Sequence, residues 1–413
     1  MNIDVEEFLS DKGELLDSFQ AFFQDDMVEK LAYESKFIER STSKLTGWMF
    51  LQLHLLMDLP GKEYSLTQMC DALDEGYGVS LTKQSLDERF NTFAVKFMRA
   101  CFAHIFARTL DFKQDSTTHA HFKRVVLTDA TTFQLPSHLA TFYQSNGGDT
   151  SGSSIKIHQQ YDLLHAQVLA LDMVDGKQND AVLLQGFDYS DVGQELHLLD
   201  LGYFKVAHLQ ALHQAKGFFI SRYKTGTDLF VKHQAGHFEK LDWPKLLSVL
   251  RQGDVNGLPQ VYLGKEKLQV RLIVEKMPEE VVAKRKAKQH RRHSNQSKSL
   301  SNAWQTSERK KLLMPYNIFI TNTGQEQLCL QQVSLYYKLR WQIEILFKIW
   351  KSIMHIDKVG KMSIFRFECY LYSRLIAILL CSKVHSMLKA YLQPQQDFEL
   401  SEWKVAKYLK KRS

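Results

Sequence analysis

The stretch Tyr336–Lys351, YYKLRWQIEILFKIWK, constrains the fold most, because its apolar and polar residues separate at helical spacing. At roughly 100° per residue of helix, four polar residues fall within a sector of about 60°. They are Tyr337, Arg340, Glu344 and Lys351. A broad apolar face lies opposite them, formed by Leu339, Ile343, Leu346, Trp350 and Ile353. This pattern predicts one amphipathic helix, either a surface helix with assorted charges or the carrier of a catalytic carboxylate flanked by phosphate-binding groups.

The basic residues are concentrated in one segment of the chain. Residues 284–311 hold ten Lys or Arg against one acid, Glu308, and without them the net charge of +7 becomes a balance of −2. A positive segment on a near-neutral body favours a polyanionic partner, most simply nucleic acid. The alternative is a solvated loop without a partner.

Length and composition indicate a globular protein with two or three domains. The chain has 413 residues, of which 44% are hydrophobic and 24% charged. Its five cysteines are scattered and lack C-x-x-C spacing, which favours a reducing compartment without a disulfide framework or a zinc site. The late apolar run around Arg374 is short and interrupted by that charge, so we expect a buried helix and no membrane span.

Residues 1–120 have mostly helical periodicity. Within them, residues 65–106 have a helix, a Gly-containing turn and a second helix, a pattern that resembles a helix-turn-helix. The residues able to face DNA in that arrangement are Thr82, Lys83, Gln84, Ser85 and Arg89. A plain helical bundle without a DNA-reading role has the same pattern and stays an equal alternative.

From residue 121 the hydrophobic period changes to that of strands. A short apolar run ends at Asp129, and another, Leu196–Leu201, closes on Asp200. Between them lie two strand-like runs, Ile155–Leu164 and Gln167–Val174, and a short helix at Asp180–Phe187. A helix at 206–216 and a strand at 217–223 follow. The pattern predicts an α/β sheet with two aspartates at strand ends.

Residues 226–328 interrupt that α/β pattern. Their strand-like runs are Leu229–Lys232, Gln260–Leu263, Leu268–Lys276 and Tyr316–Thr321. The predicted organisation is therefore a helical N-terminal segment at 1–120, a first core part at 121–225, a separate β-rich insertion with a basic arm at 226–328, and a helical part at 329–413 that carries the glutamate.

Two aspartates at strand ends and a glutamate on a later helix are the carboxylates that a two-metal phosphoryl-transfer site requires. Spacing alone is weak evidence for such a metal site, because Asp162, Asp172 and Asp175 also lie near predicted strands. Each acid has a structural alternative as well. Asp129 could cap a turn, and Asp200 could open a helix.

The local motifs are more specific than the spacing. LTDATTFQLP around Asp129, LLDLGYF around Asp200, and the Y-x2-R-x3-E-x6-K pattern around Glu344 together resemble the DDE transposases of bacterial insertion sequences. More narrowly, they resemble the insertion-sequence-four family with its Y-R-E-K signature, over about residues 120–390. The separations of 71 residues between the aspartates and 144 from Asp200 to Glu344 are also similar to that family.

The resemblance implies a fold and a metal site. The fold is an α/β ribonuclease-H-like core interrupted by a β-rich insertion, with an α-helical N-terminal DNA-binding domain and a helical C-terminus. Asp129, Asp200 and Glu344 form the metal-binding triad for two Mg²⁺ ions, for which Mn²⁺ can substitute.

The resemblance also implies DNA contacts. Tyr337, Arg340 and Lys351 would hold backbone phosphates near the transposon end. Tyr316 stands where the family usually has a tryptophan that stacks on a flipped base. Trp341 matches an aromatic residue often found in the motif, with helix packing as its alternative. Arg222, after Asp200, is a further candidate DNA contact.

The function implied is cut-and-paste transposition: binding of terminal inverted repeats, strand cleavage, and joining of the 3′ end to target DNA. We expect double-stranded DNA as the partner, a homodimer in the synaptic complex, and a cytoplasmic, nucleoid-associated protein. Two alternatives remain: a catalytically silent or domesticated relative that binds DNA without cutting, and a structural nucleic-acid-binding protein whose acids are surface charge.

Overall fold

The computed structural model describes residues 25–40, 43–58, 65–110, 121–146, 152–251, 254–287 and 308–392. These residues fall into two compact units, each built from separated stretches of chain. The first takes its described residues from Met1–Ser116, Ala130–Gln178 and Ile343–Ser413, and the second from Thr117–Asp129 and Asn179–Gln342. Each unit combines residues from several of the segments predicted from the sequence. The units therefore do not test those segment boundaries, which stay a prediction.

Helices dominate the first unit. In chain order they are α1 (Asp25–Glu34), α2 (Gly47–Asp58), α3 (Leu66–Tyr77), α4 (Lys83–Asp87), α5 (Thr92–Leu110) and the long α11 (Ile364–Leu392). Phe50 packs against Phe37 and Phe97 in the core, with ring centroids 4.6 and 6.4 Å away. The late apolar run around Arg374 lies within α11 and is buried, as predicted.

Local chemistry explains the bounds of α3. The Ser65 hydroxyl accepts from the Gln68 amide, and the Gln68 side chain accepts from the Ser65 amide at 2.9 Å, which completes a capping box. Gly78 ends the helix in the left-handed region, at φ 63°. The predicted second helix of the helix-turn-helix is divided in the structure into the five-residue α4, whose N-cap is the Thr82 hydroxyl, and the longer α5. Lys83, Gln84 and Ser85 are exposed on it, and their DNA contact stays a prediction.

The first unit also contains an antiparallel hairpin. Its strands are β2 (Ser154–Asp162) and β3 (Gln167–Asp175), paired from Ile155 opposite Asp175 to Asp162 opposite Gln167. Both strands lie close to their predicted positions.

The second unit contains most of the strands. They are β1 (Arg124–Gln134, which continues into the first unit after Asp129), β4 (Glu195–Leu199), β5 (Phe218–Arg222), β6 (Leu229–Lys232), β7 (Phe238–Lys240), β8 (Val255–Leu263), β9 (Leu268–Lys276) and β10 (Tyr316–Thr321). Their spatial order is β1-β4-β5-β10-β9-β8-β6-β7. The β1–β4 and β4–β5 pairs are parallel, and the others are antiparallel. All five residues of β4 are buried, which is typical of a parallel strand covered on both faces.

Helices lie between these strands and after the last of them. They are α6 (Val206–Gln214) between β4 and β5, α7 (Trp243–Ser248), α8 (Glu308–Leu313), α9 (Leu330–Leu339) and α10 (Trp341–Ser352), whose later residues belong to the first unit. One hydrophobic cluster joins α6, α7 and α8 to the sheet, with Leu209 of α6, Phe219 of β5 and Leu272 of β9 all buried in it.

The predicted strands of 226–328 occur where expected, and three of them match residue for residue. They are not separate from the core strands, however. Strand β10 pairs with β5 on one side and with β9 on the other, so one sheet contains both. Hydrophobic pattern gives strand positions but not which strands pair, because pairing is set by tertiary contacts.

The prediction of one continuous helix over Tyr336–Lys351 is wrong, because the structure has two helices there. Helix α9 ends at Leu339 and α10 begins at Trp341, with Arg340 between them. The segment contains no Gly or Pro, so the sequence carries no signal for the break.

The coarse fold class is confirmed as mixed α/β, with a large central sheet and helices. None of the helices within the described residues combines the length and the apolar character needed to span a bilayer.

Arg271 of β9 fixes the loop that leads into α9. Its side chain is buried, and its Nη1 donates to the carbonyl oxygens of Thr323, Gly324 and Leu328 at 2.9 to 3.1 Å. Replacing Arg271 with methionine keeps an unbranched apolar stem but leaves these buried carbonyls without their donor.

We expect Arg271→Met to lower the free energy of unfolding by about 1.5–3 kcal/mol, since hydrogen bonds from a charged donor are lost. Denaturant unfolding measures this. The control is Arg251→Met, which replaces an exposed arginine and should leave stability nearly unchanged. Equal stability of the two variants would show that Arg271 does not anchor the loop.

Candidate active site

Asp129 and Asp200 lie side by side at the point where the parallel pairing of β1 with β4 ends. The last parallel pair between β1 and β4 is Thr128 opposite Leu199, and each aspartate is the next residue along its strand. The carboxyl ends of parallel strands are where ligands bind in α/β sheets. The pairing register therefore brings together the two acids that the sequence singled out.

Arg222 continues this row on the third strand. Leu199 of β4 pairs with Ser221 of β5, so Arg222 follows Ser221 as Asp200 follows Leu199. The three residues Asp129, Asp200 and Arg222 thus occupy equivalent positions on β1, β4 and β5. This places one cationic side chain next to two acidic ones at the same edge.

Asp129 forms an ion pair with Arg340. Arg340 Nη1 lies 2.9 Å from Asp129 Oδ2, with side-chain exposures of 17% and 20%. Partial burial strengthens such a pair relative to a surface one. Asp129 lies within β1, which runs on to Gln134, so the alternative role as a turn cap does not apply.

Asp200 opens a short 3₁₀ turn, Leu201–Tyr203, but its side chain makes no capping hydrogen bond. The sequence left open that Asp200 serves only to start a helix. Its backbone carbonyl does start the turn, since it accepts a hydrogen bond from the Tyr203 amide at 3.0 Å. The carboxylate of Asp200 is therefore not committed to the turn.

Asp180 is an acidic neighbour that sequence reasoning missed. It begins the 3₁₀ segment Asp180–Gly186, and a Cβ at position 202 would lie only 2.7 Å from its Oδ2, so Gly202 permits the close approach. The pKa of the buried Tyr203 phenol is raised by burial first, and then by the charges of Asp180, Asp129 and Asp200. The only sequence signal for Asp180 was its place at the start of a predicted short helix.

Tyr337 lies on α9 beside this edge of the sheet. Its ring packs on Phe319 of β10 at a centroid distance of 5.0 Å. Burial and then the charge of Asp200 raise the pKa of Tyr337 to about 12, against the opposing effect of Arg340 and Arg222. Its phenol is therefore neutral near pH 7 and able to donate a hydrogen bond.

Glu344 and Lys351 belong to the first unit. Glu344 is exposed in the first turn of α10, where a negative charge suits the helix dipole. Lys351 Nζ donates to the Thr132 carbonyl at 3.0 Å, and burial lowers the pKa of its ammonium group. Among the residues that the structure describes, no three His, Cys, Asp or Glu side chains form a group able to hold a metal.

Trp341 and Tyr316 have different surroundings. Trp341 is 52% exposed at the start of α10, so its ring is available to a ligand. Tyr316 is half-buried and packs against the hydrophobic cluster of the second unit. The stacking role predicted for Tyr316 stays a prediction from resemblance.

Two arginines of the basic segment contact residues outside it. Arg309 donates to the Asp228 carboxylate and the Thr227 carbonyl, both at 3.0 Å, and also to the Tyr223 hydroxyl. Arg285 donates to Asn317 Oδ1 at 2.7 Å. Lys288, Arg291, Arg292 and Lys298 of the predicted basic arm lie outside the described residues.

The aspartate pair fits a divalent cation by ligand type. Carboxylate oxygens are the ligands that Mg²⁺ and Mn²⁺ prefer. The guanidinium of Arg340 at Asp129 also shows that this position stabilises a positive charge. Arg340 contacts Oδ2 of Asp129, so a cation bound through that oxygen would compete with the guanidinium.

Comparison with known proteins identifies the family. The family model described as a transposase DDE domain matches residues 120–380. The chain belongs to this family of DDE transposases. It is 32% identical to the transposase for insertion sequence element IS1151 of Clostridium perfringens, over 94% of this chain and 84% of that one.

A further relative and one solved structure are also transposases. The chain is 30% identical to the transposase for insertion sequence element IS231B of Bacillus thuringiensis subsp. berliner, over 92% of this chain and 81% of the relative. The piggyBac transposase, solved as a synaptic complex with hairpin DNA, is similar in fold, with a TM-score of 0.51 at 11% identity over 96% of this chain and 79% of that one. The predicted relationship to insertion-sequence transposases of the insertion-sequence-four type is confirmed.

The raised pKa of Tyr337 predicts a pH-dependent contribution to stability. The unfolded phenol has a pKa of about 10, whereas the folded value is about 12. The contribution is present below pH about 10 and is lost as pH rises towards about 12, because only the unfolded chain releases the proton easily. We expect the free energy of unfolding of Tyr337→Phe to fall less steeply than that of wild type across this range.

Urea unfolding at a series of alkaline pH values measures the difference in slope. Tyr33→Phe, which changes an exposed tyrosine of the first unit, serves as the control. Parallel stability curves for wild type and Tyr337→Phe would contradict the assignment.

Proposed function

We propose that this protein is an active transposase that binds the inverted repeats at transposon ends, cleaves them by metal-dependent phosphoryl transfer and joins the 3′ end to target DNA. The observation that carries the proposal is the register that sets Asp129 beside Asp200 on adjacent parallel strands. Membership of the DDE transposase family supports the reaction class. The hairpin DNA named in the piggyBac complex belongs to that relative, and denaturing gels of the cleavage products test for a hairpin route in this protein.

The proposed fold assignment is a ribonuclease-H-like core with a β-rich insertion, an α-helical N-terminal DNA-binding domain and a helical C-terminus. Parallel β1, β4 and β5 with helix α6 between the last two support the core assignment. Strands β6 to β9 would then be the insertion, joined to the core sheet through β10.

Asp129, Asp200 and Glu344 would hold two Mg²⁺ ions, with Mn²⁺ able to substitute. When bound, such ions activate the attacking oxygen and stabilise the leaving oxygen of an in-line displacement. In the hydrolytic step, the water oxygen bonds to phosphorus while the bond to the 3′ oxygen breaks, and that oxygen takes up a proton. In strand transfer, the freed 3′-hydroxyl attacks a phosphodiester of the target and releases a target 3′-hydroxyl.

The remaining residues would position DNA. Arg340 would leave Asp129 for a backbone phosphate, which its planar guanidinium can bind through two hydrogen bonds. The neutral phenol of Tyr337 would donate to a second phosphate, and Lys351 would supply a point charge. Trp341, Tyr316 and Arg222 are further proposed DNA contacts, Trp341 with the most accessible side chain of the three.

The proposed partners are double-stranded DNA, both as transposon ends and as target, and a second copy of the chain. Two transposon ends require two active sites, so a homodimer in the synaptic complex follows from the reaction. The proposed location is the cytoplasm, with the protein associated with the nucleoid.

We expect Glu344→Gln, Asp129→Asn and Asp200→Asn each to lower Mg²⁺-dependent nicking of a cognate end by a factor on the order of a hundred to a thousand, with end binding retained. The substrate is a duplex carrying the inverted repeat that flanks the gene. Binding is measured by electrophoretic mobility shift and nicking on denaturing gels. Glu279→Gln, an exposed glutamate of the second unit, is the matched control.

The same assay separates the alternatives. A silent relative would bind the end specifically, yet wild type would not cut it. A structural nucleic-acid-binding protein would bind without preference for the end. Cutting by Glu344→Gln at the wild-type rate would remove Glu344 from the triad.

The ion pair of Arg340 with Asp129 predicts competition between the guanidinium and a metal ion. Because the pair includes a charge-assisted hydrogen bond, its removal in Arg340→Gln should tighten Mn²⁺ binding to the DNA-free protein on the order of tenfold. The same variant should bind the transposon end more weakly. Electron paramagnetic resonance of free Mn²⁺ measures the first effect, and fluorescence anisotropy measures the second.

Arg251→Gln, which changes an exposed arginine, is the control for both measurements. Unchanged or weaker Mn²⁺ binding by Arg340→Gln would show that Arg340 does not compete for the cation site.

A further inference from the structure

Strands β6, β7 and β8 present one face on the side opposite to the hydrophobic cluster of the second unit. Phe230 pairs with Lys240 and with Tyr262, and Lys232 pairs with Phe238. Directly paired residues, and residues two apart on a strand, share a face of a sheet. All five therefore lie on one face, whereas their neighbours Leu229, Val261 and Leu263 are in the cluster.

Aromatic rings form the centre of this surface, which we name the aromatic–lysine face (Phe230, Lys232, Phe238, Lys240, Tyr262 and Lys267). Phe238 is 39% exposed and meets the Tyr262 ring edge-on at a centroid distance of 4.9 Å. Phe230 lies beside them and is half-buried. Exposure of an apolar ring to water is unfavourable, so a ligand that covers Phe238 would be bound more tightly through burial of that ring.

Lysines surround these rings. Lys267, in the turn between β8 and β9, lies over the Phe230 ring and 5.2 Å from the centroid of Phe238. Lys232 lies 5.9 Å from the same Phe238 centroid. Lys240 forms an exposed ion pair with Asp228 at 3.0 Å. Because Phe238 is exposed, the cation–π contacts of Lys232 and Lys267 with its ring are weak, so a phosphate is a stronger partner for these ammonium groups.

Glu239, the acidic residue of the edge strand β7, has its side chain on the opposite face of the sheet from these lysines. Glu239 stands between Phe238 and Lys240 on β7, so its side chain emerges on the opposite face. There it pairs with His233, with 2.6 Å between Oε2 and Nε2. The sequence of β6 and β7 thus places aromatic and basic side chains on one face and the glutamate on the other.

We propose that the aromatic–lysine face binds single-stranded DNA, with a base stacked on Phe238 and backbone phosphates held by Lys232 and Lys267. Aromatic rings flanked by cations on a sheet surface are what single-strand binding requires, because every base has a π-face and every nucleotide has one negative charge. A second base reaches Phe230 once Lys267 leaves that ring for a phosphate. Charge favours this ligand over a second copy of the face, whose lysines would repel one another.

This site is distinct from the aspartate edge of the sheet. It takes DNA as its ligand from the proposed function, but it requires neither the carboxylates nor a metal. In strand cleavage, it would hold an unpaired segment that the reaction exposes. Loss of single-strand binding and loss of end cleavage can therefore be observed separately.

The first test is the affinity of the full-length protein for a fluorescein-labelled oligothymidylate of about ten nucleotides, measured by anisotropy without divalent metal. We expect Phe238→Ala to weaken binding at least about fivefold, and Phe238→Trp to stay within about twofold of wild type, because stacking needs an aromatic ring. Phe142→Ala, which removes an exposed phenylalanine of the first unit, should bind like wild type.

The lysine contribution is tested by salt dependence. Lys232→Gln should reduce the slope of log affinity against log salt by about 0.7, the value for one phosphate contact on a single strand. Lys245→Gln, which changes an exposed lysine on α7, should leave the slope unchanged. This variant tests the face even if Phe238→Ala proves unstable.

Photocrosslinking then locates the strand. An oligothymidylate with 5-iodouracil should crosslink to the peptide that contains Phe238 or Phe230, as mapped by mass spectrometry. Wild-type affinity of Phe238→Ala together with crosslinks elsewhere would overturn the proposal. So would a change in oligomeric state of Phe238→Ala in sedimentation with unchanged DNA affinity, which would make the face an interface between copies.

Discussion

The parallel register of β1, β4 and β5 is the constraint on which the candidate active site depends. It fixes Asp129, Asp200 and Arg222 at equivalent positions on three neighbouring strands. Side chains alternate along a strand, so a slip of one residue would turn one acid to the other face. The fully buried β4 makes such a slip costly, because its apolar residues would lose their packing. Core packing thus determines the position of the charges.

Two acids at one sheet edge repel one another, and the chain supplies a compensating charge. Arg340 binds Asp129 from the break between α9 and α10. The start of α9 is held in turn by Arg271 of β9, through the carbonyl groups of the loop before it. The sheet therefore positions both the acids and the helix that carries Tyr337 and leads to Arg340.

Sequence reasoning located the strands and the two aspartates because both have local signals. Buried apolar runs mark β1 and β4, and a carboxylate directly after each run marks the site. It did not find Asp180, whose approach depends on the absence of a side chain at Gly202. It did not indicate that β6 to β10 share a sheet with the core strands, since the pairing of β10 with β5 joins residues about a hundred positions apart. The break at Arg340 has no Gly or Pro to indicate it.

Arg340 has two possible anionic partners in a DNA-binding enzyme, the Asp129 carboxylate and a backbone phosphate. If a phosphate draws the guanidinium away, Asp129 regains its affinity for a cation. By thermodynamic linkage the converse must hold in the proposed reaction, so a cation at Asp129 would release Arg340 and strengthen its proposed contact with DNA. The free energy of the ion pair sets the upper limit of this coupling through Arg340, because a ligand shifts an equilibrium only by its differential affinity. The same residue that neutralises the acids in the DNA-free protein would thereby make metal binding and DNA binding mutually dependent.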